Sequence, residues 1–301
     1  MASAVSVEHD IHRCAELWKQ FSPRRSLYDL WEFRLPFWEE YGFEPSFVVL
    51  PEEGMLPLWF HPEQNRYLWF GDTGDEFNWV EDAVLWARDA RVARALLSHA
   101  PRPCALNSCS AAVRDQAGND CPLTSANPKS VLPLSAIRFV DDYLATLPKK
   151  LRSNLRHDQR VIEQQAPVVD EDRFGDLEAM IAWNRAKFPD SPWNDEKMRR
   201  CLKTLVSPSR ERPYGVHVLS VRIGGVLAAV DCLFSWNGTL YPLFCGSDTQ
   251  RFPGIGHFMN LLDIQFALNH GMNTVDFAEI EPGTVKEKLF PLTEQYTLRL
   301  P

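Results

Sequence analysis

Two dipeptides, Gly224-Gly225 and Asn237-Gly238, constrain the fold of this chain more than any other feature. Each lies between apolar runs, 216–223 and 226–236 for the first, 226–236 and 239–245 for the second. A two-residue hairpin loop of type I′ needs positive φ at both central positions, which glycine and asparagine tolerate best. The spacing therefore predicts an antiparallel meander of three strands. Directly behind the third strand comes Gly246-Ser-Asp-Thr-Gln-Arg251-Phe-Pro-Gly254-Ile-Gly256-His257, then a helical pattern over 257–270, then a further apolar run, Thr274-Val-Asp-Phe-Ala.

Within that segment, Arg251-x-x-Gly254-x-Gly256 lets successive backbone N–H groups line a concavity. Glycine removes the Cβ atoms that would block a phosphate, and the following helix points its positive end at the same place. Such a loop holds the pyrophosphate of a coenzyme. The plain alternative is a strand-to-helix turn punctuated by glycine. Valine at Gly254 or Gly256 is expected to block the loop and leave the fold largely intact.

Upstream of the meander, Leu144, Leu147, Leu151, Leu155 and Ile162 form the apolar stripe of a helix predicted over 144–165. Lys149, Lys150, Arg152, Arg156 and Arg160 crowd its other faces, either as a solvated surface or as a cluster near an anionic ligand. Helices are predicted over 173–188 and 194–206. The corner between them, Phe188-Pro-Asp-Ser-Pro-Trp193-Asn194, either faces a substrate pocket or docks one helix on the next.

The first half opens with helical patterns over 11–21 and 27–41, the second expected to kink or divide at Pro36. Short strands follow near 45–50, 55–60 and 66–71, then a helix over 80–98. Residues 101–133 carry little periodicity and turn pairs such as Gly118-Asn119, which places a boundary between halves 1–130 and 131–301.

The 301 residues, 45% of them apolar, suffice for one large domain or two of ordinary size, and a net charge of −8 argues against a generic nucleic-acid binder. No stretch approaches the roughly 18 apolar residues that a membrane span requires, and the start of the chain lacks a signal-peptide pattern. A cytoplasmic protein is expected. Seven scattered cysteines read as reduced thiols. Cys104, Cys109 and Cys121 contain neither a C-x-x-C pair nor an interleaved histidine, so no metal is expected.

The order of elements, two helices, an antiparallel meander, a phosphate-type loop, a helix and a strand, resembles that of the GNAT acyltransferase superfamily. Leu147-Pro-Lys-Lys-Leu-Arg152-Ser-Asn154-Leu-Arg156, the loop 246–256, and Val275-Asp-Phe277 with Val285-Lys286 resemble signatures of its BioF2-like and FemAB-like branch. That branch pairs an “LxxxxRxNLRR” helix with a late “DFG…YK” element. Ala278 stands where glycine is usual, and Val285 where tyrosine is. The resemblance covers about residues 135–290 well and 1–130 loosely. It implies an α/β (α+β) fold of two tandem GNAT-like halves, the first degenerate, with a mostly antiparallel mixed sheet flanked by helices.

The same resemblance implies acyl-CoA as co-substrate, bound through Phe244, Cys245, Gly246, Arg251, Phe252, Pro253, Gly254, Ile255, Gly256 and His257, with backbone near Phe244 to Gly246 donating to the thioester carbonyl. The acceptor would be a small-molecule or peptide amine. FemAB-like members take an aminoacyl group from tRNA instead, and the basic helix with Arg152 and Arg156 is the best support for that donor. A scaffold without catalysis is the third reading. Arg152, Arg156 and Trp193 are the candidates for substrate contact. Deprotonating an ammonium needs a base. Asp231, inside an apolar strand, would have a raised pKa if buried, whereas an alternating strand could point it to solvent. Glu279 and Glu281 are further candidates, and Lys286 matches the family's late lysine. Cys245 lacks a histidine to activate it, which favours a buried apolar role over a nucleophile. Neither the acceptor nor the oligomeric state is legible.

Overall fold

The computed structural model describes residues 4–74, 80–118, 121–280, 282–284 and 286–301, so Asn119, Glu281 and Val285 lie outside the described residues. Two compact units emerge. The first comprises residues 1–128, 197–211 and 293–301; the second comprises 129–196 and 212–292. Among the described residues no helix is long and apolar enough to cross a membrane, and no group of three or more His, Cys, Asp or Glu could hold a metal ion.

The first unit is built on an eight-stranded sheet whose hairpins Glu44–Leu50, Gly54–His61 and Arg66–Trp69 match the predicted strands. Its helices Ile11–Phe21 and Trp31–Tyr41 bring Trp18 against Trp31 and Trp86, at ring separations of 5.5 and 4.5 Å. The second helix runs through Pro36 undivided. The helix expected from residue 80 begins only at Ala90, because the Asp89 carboxylate caps it by accepting from Val92 N–H. Trp86 and Ala87 are drawn off into pairing with Met55 and Gly54. The helix Glu196–Val206 is tied into this unit by Arg200 on Glu40 and by the Cys201 thiol donating to Pro36 O.

The second unit carries a seven-stranded sheet ordered Leu292–Thr293, Lys129–Pro133, Thr274–Glu279, Thr239–Ser247, Val226–Trp236, Gly215–Ile223, Val168–Glu171. The predicted meander is present in full, with Gly224, Gly225, Asn237 and Gly238 all at positive φ. Where a single helix was predicted over 144–165, the chain forms two, Val140–Thr146 and Lys149–Glu163. The break falls at Leu147, held extended ahead of Pro148 as a residue before proline tends to be.

The strand Thr274–Glu279 explains its own departure from the family pattern. Ala278 sits at φ +64°, a left-handed conformation that glycine adopts without penalty, next to a bulge in the ladder with Lys129–Pro133. Its N–H donates to Asp276 Oδ1, and Asp276 in turn pairs with the fully buried Lys129 at 2.6 Å. Ala278→Gly is therefore expected to stabilise the protein by about 1 kcal/mol, since the strain relieved exceeds the added chain entropy. A urea titration checks this; an unchanged or lowered midpoint would remove the strain argument.

Candidate functional site

The site arises where two neighbouring strands part. Thr239–Ser247 and Thr274–Glu279 run parallel, and among the described residues their pairing ends at Leu240 with Val275. The other edge of Thr239–Ser247 stays paired as far as Ser247, through a bulge that leaves Leu243 out of register. Beside the opened edge lies a cavity of about 500 Å³, a volume usual for a small-molecule site. Its wall includes Asp231, Cys245, Gly246, Gly254, Gly256, His257, Asp263 and Lys286, with Trp183 and Phe188 contributing aromatic surface.

At one end of this cavity is the glycine loop. Several of its amides are spent on its own geometry: Arg251 N–H donates to Asp248 Oδ1, Phe252 N–H to Asp248 O, and Ile255 N–H to Phe252 O. Phe252 and Ile255 are buried and anchor the loop, while Arg251 and Pro253 are exposed. The N–H groups of Gly254, Gly256 and His257, at the start of helix Ile255–Asn269, have no acceptor among the described residues. All three residues line the cavity. Unpaired amides at a helix N-terminus attract anions.

The glycines divide the work. Gly254 is the N-cap at φ +86°, and a Cβ there would lie 2.9 Å from Asp158 Cβ on helix Lys149–Glu163. Gly246 likewise admits Met180, whose carbonyl oxygen would be 2.6 Å from an added Cβ. Both permit close packing of a helix. At Gly256 an added Cβ meets nothing within 4 Å, so its absence keeps the cavity open. Valine at Gly254 would thus disturb packing and backbone together, contrary to the expectation from sequence; only Gly256 offers a clean block.

Asp158 does more than approach Gly254. Its Oδ2 lies 2.6 Å from His257 Nδ1, tying the preceding helix to the loop. Arg152 and Arg156 on that helix turn elsewhere, toward Ala145 O at 3.2 Å and Asp141 at 2.8 Å, and neither is in the cavity wall. Trp193 is also outside it. The indole is buried and packs edge-on against Phe244, itself buried, at 5.1 Å. The corner thus does both: Phe188 reaches the cavity wall, while Trp193 packs on the strand Thr239–Ser247.

Asp231 is buried, not directed to solvent, and faces the cavity from the centre of its strand. Across the ladder its partner is Cys245, which is exposed in the cavity wall and not the buried apolar residue anticipated. Surrounding protein nonetheless raises the Cys245 thiol above its ordinary value, so it is a poor nucleophile. Asp231 lies beside a second buried carboxyl, Asp263, close enough for the two to interact directly. Desolvation pushes Asp231 up to about 7, against the opposing charge of Lys286, and raises Asp263 as well. Glu279 sits half-buried outside the cavity wall, opposite Lys129 in the ladder. Lys286 is in the wall, with its Nζ 5.6 Å over the Phe277 ring.

Sequence reasoning missed Asp263 and Asp158. Asp263 did leave a signal, as the single acid in the largely apolar helix Ile255–Asn269.

Comparison with known sequences covers the same region of the chain. Residues 149–283 match the family described as “Acetyltransferase (GNAT) domain”. The matched stretch, a little under half of the chain, is similar to a GNAT domain. Most of that stretch lies in the second unit, with 197–211 in the first. No curated protein matches significantly by sequence. Among solved structures, a protein of unknown function from Bacteroides thetaiotaomicron aligns at TM-score 0.60 and 14% identity, over 99% of this chain and 100% of the other. FemX aligns at TM-score 0.60 and 10% identity, over 98% and 97%. A tandem GNAT protein from the clavulanic acid biosynthesis pathway aligns at TM-score 0.51 and 10% identity, over 99% and 98%. These likenesses span both units, in keeping with two GNAT-like halves and a FemAB-like fold.

Proposed function

We propose that this protein is a GNAT-type N-acyltransferase that moves an acyl group from an acyl-CoA thioester to the amine of a small molecule or peptide. The observation that carries this reading is one cavity whose wall holds the Gly254, Gly256 and His257 amides, without acceptors among the described residues, and the Asp231 carboxyl facing the same space. The residues present fit the co-substrate: the amides would take the pyrophosphate, and the open space at Gly256 leaves room for it.

Acyl transfer to an amine requires alignment, removal of an ammonium proton and relief of charge on the carbonyl oxygen. Asp231 is the base this reading favours, because its pKa near 7 balances availability against strength. Backbone at Cys245 and Gly246, on the edge opened by the splay, would serve the carbonyl oxygen. Aminoacyl-tRNA as donor is less well supported, since Arg152 and Arg156 are engaged with neighbours outside the cavity.

A thermal-shift series tests the reading. Acetyl-CoA and free CoA should each raise the melting temperature, equivalent to about 2.7 kcal/mol at a hundredfold excess over Kd. Absence of any response to CoA species would leave a non-catalytic scaffold or a tRNA-dependent enzyme. Steeply salt-dependent tRNA binding would then separate those two.

A further inference from the structure

The acid pair deep in the cavity has more charge than a lone base requires. Asp231 comes from the middle strand of the meander and Asp263 from the middle of helix Ile255–Asn269; their side chains meet with relative exposures of 4% and 1%. Asp263 Oδ1 is buried and receives no hydrogen bond from any donor among the described residues. Burying a carboxyl oxygen without a donor is costly, so a fold bears it where a ligand or a shared proton completes the site. Both acids are in the wall of the same cavity, within reach of a bound molecule.

We propose that Asp231 and Asp263 act as one acid pair that binds the acceptor's amino group as its ammonium and takes its proton, making a primary alkylamine the acceptor class and Asp263 a substrate-contacting residue. This rests on the acyl-transfer reading of the cavity. When the pair holds one proton it carries a single negative charge, which an alkylammonium neutralises; an alcohol of the same shape offers no such charge. Trp183 and Phe188 supply apolar surface for the carbon chain behind the nitrogen. In the reaction the ammonium gives one proton to the pair, leaving both carboxyls protonated and the amine neutral. The nitrogen lone pair then forms the bond to the thioester carbonyl carbon. The C–S bond breaks with its electrons on sulfur, and the sulfur takes a second proton from nitrogen to leave as thiol. The pair afterwards releases its proton to water.

The groups facing the pair set its titration. Lys286 is the cation that opposes protonation, and Cys245 is the cross-strand neighbour of Asp231. Lys187 and His257 line the same cavity, while the strand Gly215–Ile223 places only the apolar Leu219 opposite Asp231. Acidification through pH about 7 fills the pair with protons and should weaken ammonium binding.

Saturation-transfer NMR on n-butylammonium chloride, with n-butanol as control, decides the matter in the intact protein. The wild type should bind the ammonium saturably above pH 7, lose it on acidification, and ignore the alcohol. Asp263→Asn should weaken binding at least tenfold and flatten its pH dependence, Asp263→Glu should recover part of it, and the thermal shift with CoA should persist in both. Equal binding of butanol, or wild-type affinity in Asp263→Asn, would overturn the proposal. If butylammonium binds as described while CoA species give no thermal shift, the acid pair stands and the acyl-CoA reading falls.

Discussion

Gly256→Val is expected to abolish acyl-CoA binding while leaving the melting temperature within about 1 °C of wild type. The residue is the second of helix Ile255–Asn269, where valine costs only a few tenths of a kcal/mol relative to good helix formers. Its Cβ would enter open space, and its backbone needs no left-handed conformation. The γ-methyl groups extend into the hollow beside the free amides, where a diphosphate would sit. Losing even two charge-assisted hydrogen bonds, at about 1.5–3 kcal/mol each, corresponds to a loss of at least a hundredfold in affinity. Calorimetric titration with CoA measures it. Gly254→Val, by contrast, should lower stability and binding together, since it meets Asp158 and forces a branched side chain to φ +86°. A Gly256→Val protein that binds CoA like the wild type would mean that the loop holds nothing.

Asp231→Asn is expected to reduce kcat by 10²- to 10⁴-fold, the range spanned by a lost general base, with CoA affinity unchanged. In the wild type the rate should rise with pH through about 7 as the carboxyl ionises; in the variant that limb should vanish. The same substitution carries a stability signature whose sign is opposite to the usual carboxylate. The folded-state pKa lies above the ordinary aspartate value of 3.8, so the folded protein retains a proton that the unfolded chain releases. Stability contributed by this group is complete below pH 4 and lost progressively as pH rises toward 7. Asp231→Asn should therefore melt higher than wild type at pH 8 and show a shallower decline between pH 4 and 7. Calorimetric scans across that window check it. A variant that is both inactive and less stable at pH 8 would mean that Asp231 serves the fold instead of the reaction.

Much of the second unit was legible because its signals are local. Asn237-Gly238 and Gly224-Gly225 encode turns through the φ angles of the residues themselves, and the structure has both. The same holds for the strand, loop and helix from 239 to 269. Errors fell where one element overrode another's periodicity. The leucine stripe of 144–165 continues across Pro148, yet the backbone cannot, and the pattern over 80–89 lost to pairing with the strand Gly54–His61.

Candidate site residues separate along the same line. Asp231 stood out as a carboxylate in an apolar strand, and Asp263 as an acid in a largely apolar helix, but nothing near either residue in the chain says that they meet. Arg152 and Arg156 looked like ligands for an anion because composition gathers them; helix rotation turns them to Ala145 and Asp141, and brings Asp158 to the loop instead. What the sequence determined by itself was backbone: where the chain turns, where it extends, and where glycine leaves amides bare. What the tertiary structure alone decided was which side chains share one cavity, because that depends on the splay of two strands and the rotation of two helices, and no neighbour along the chain carries either.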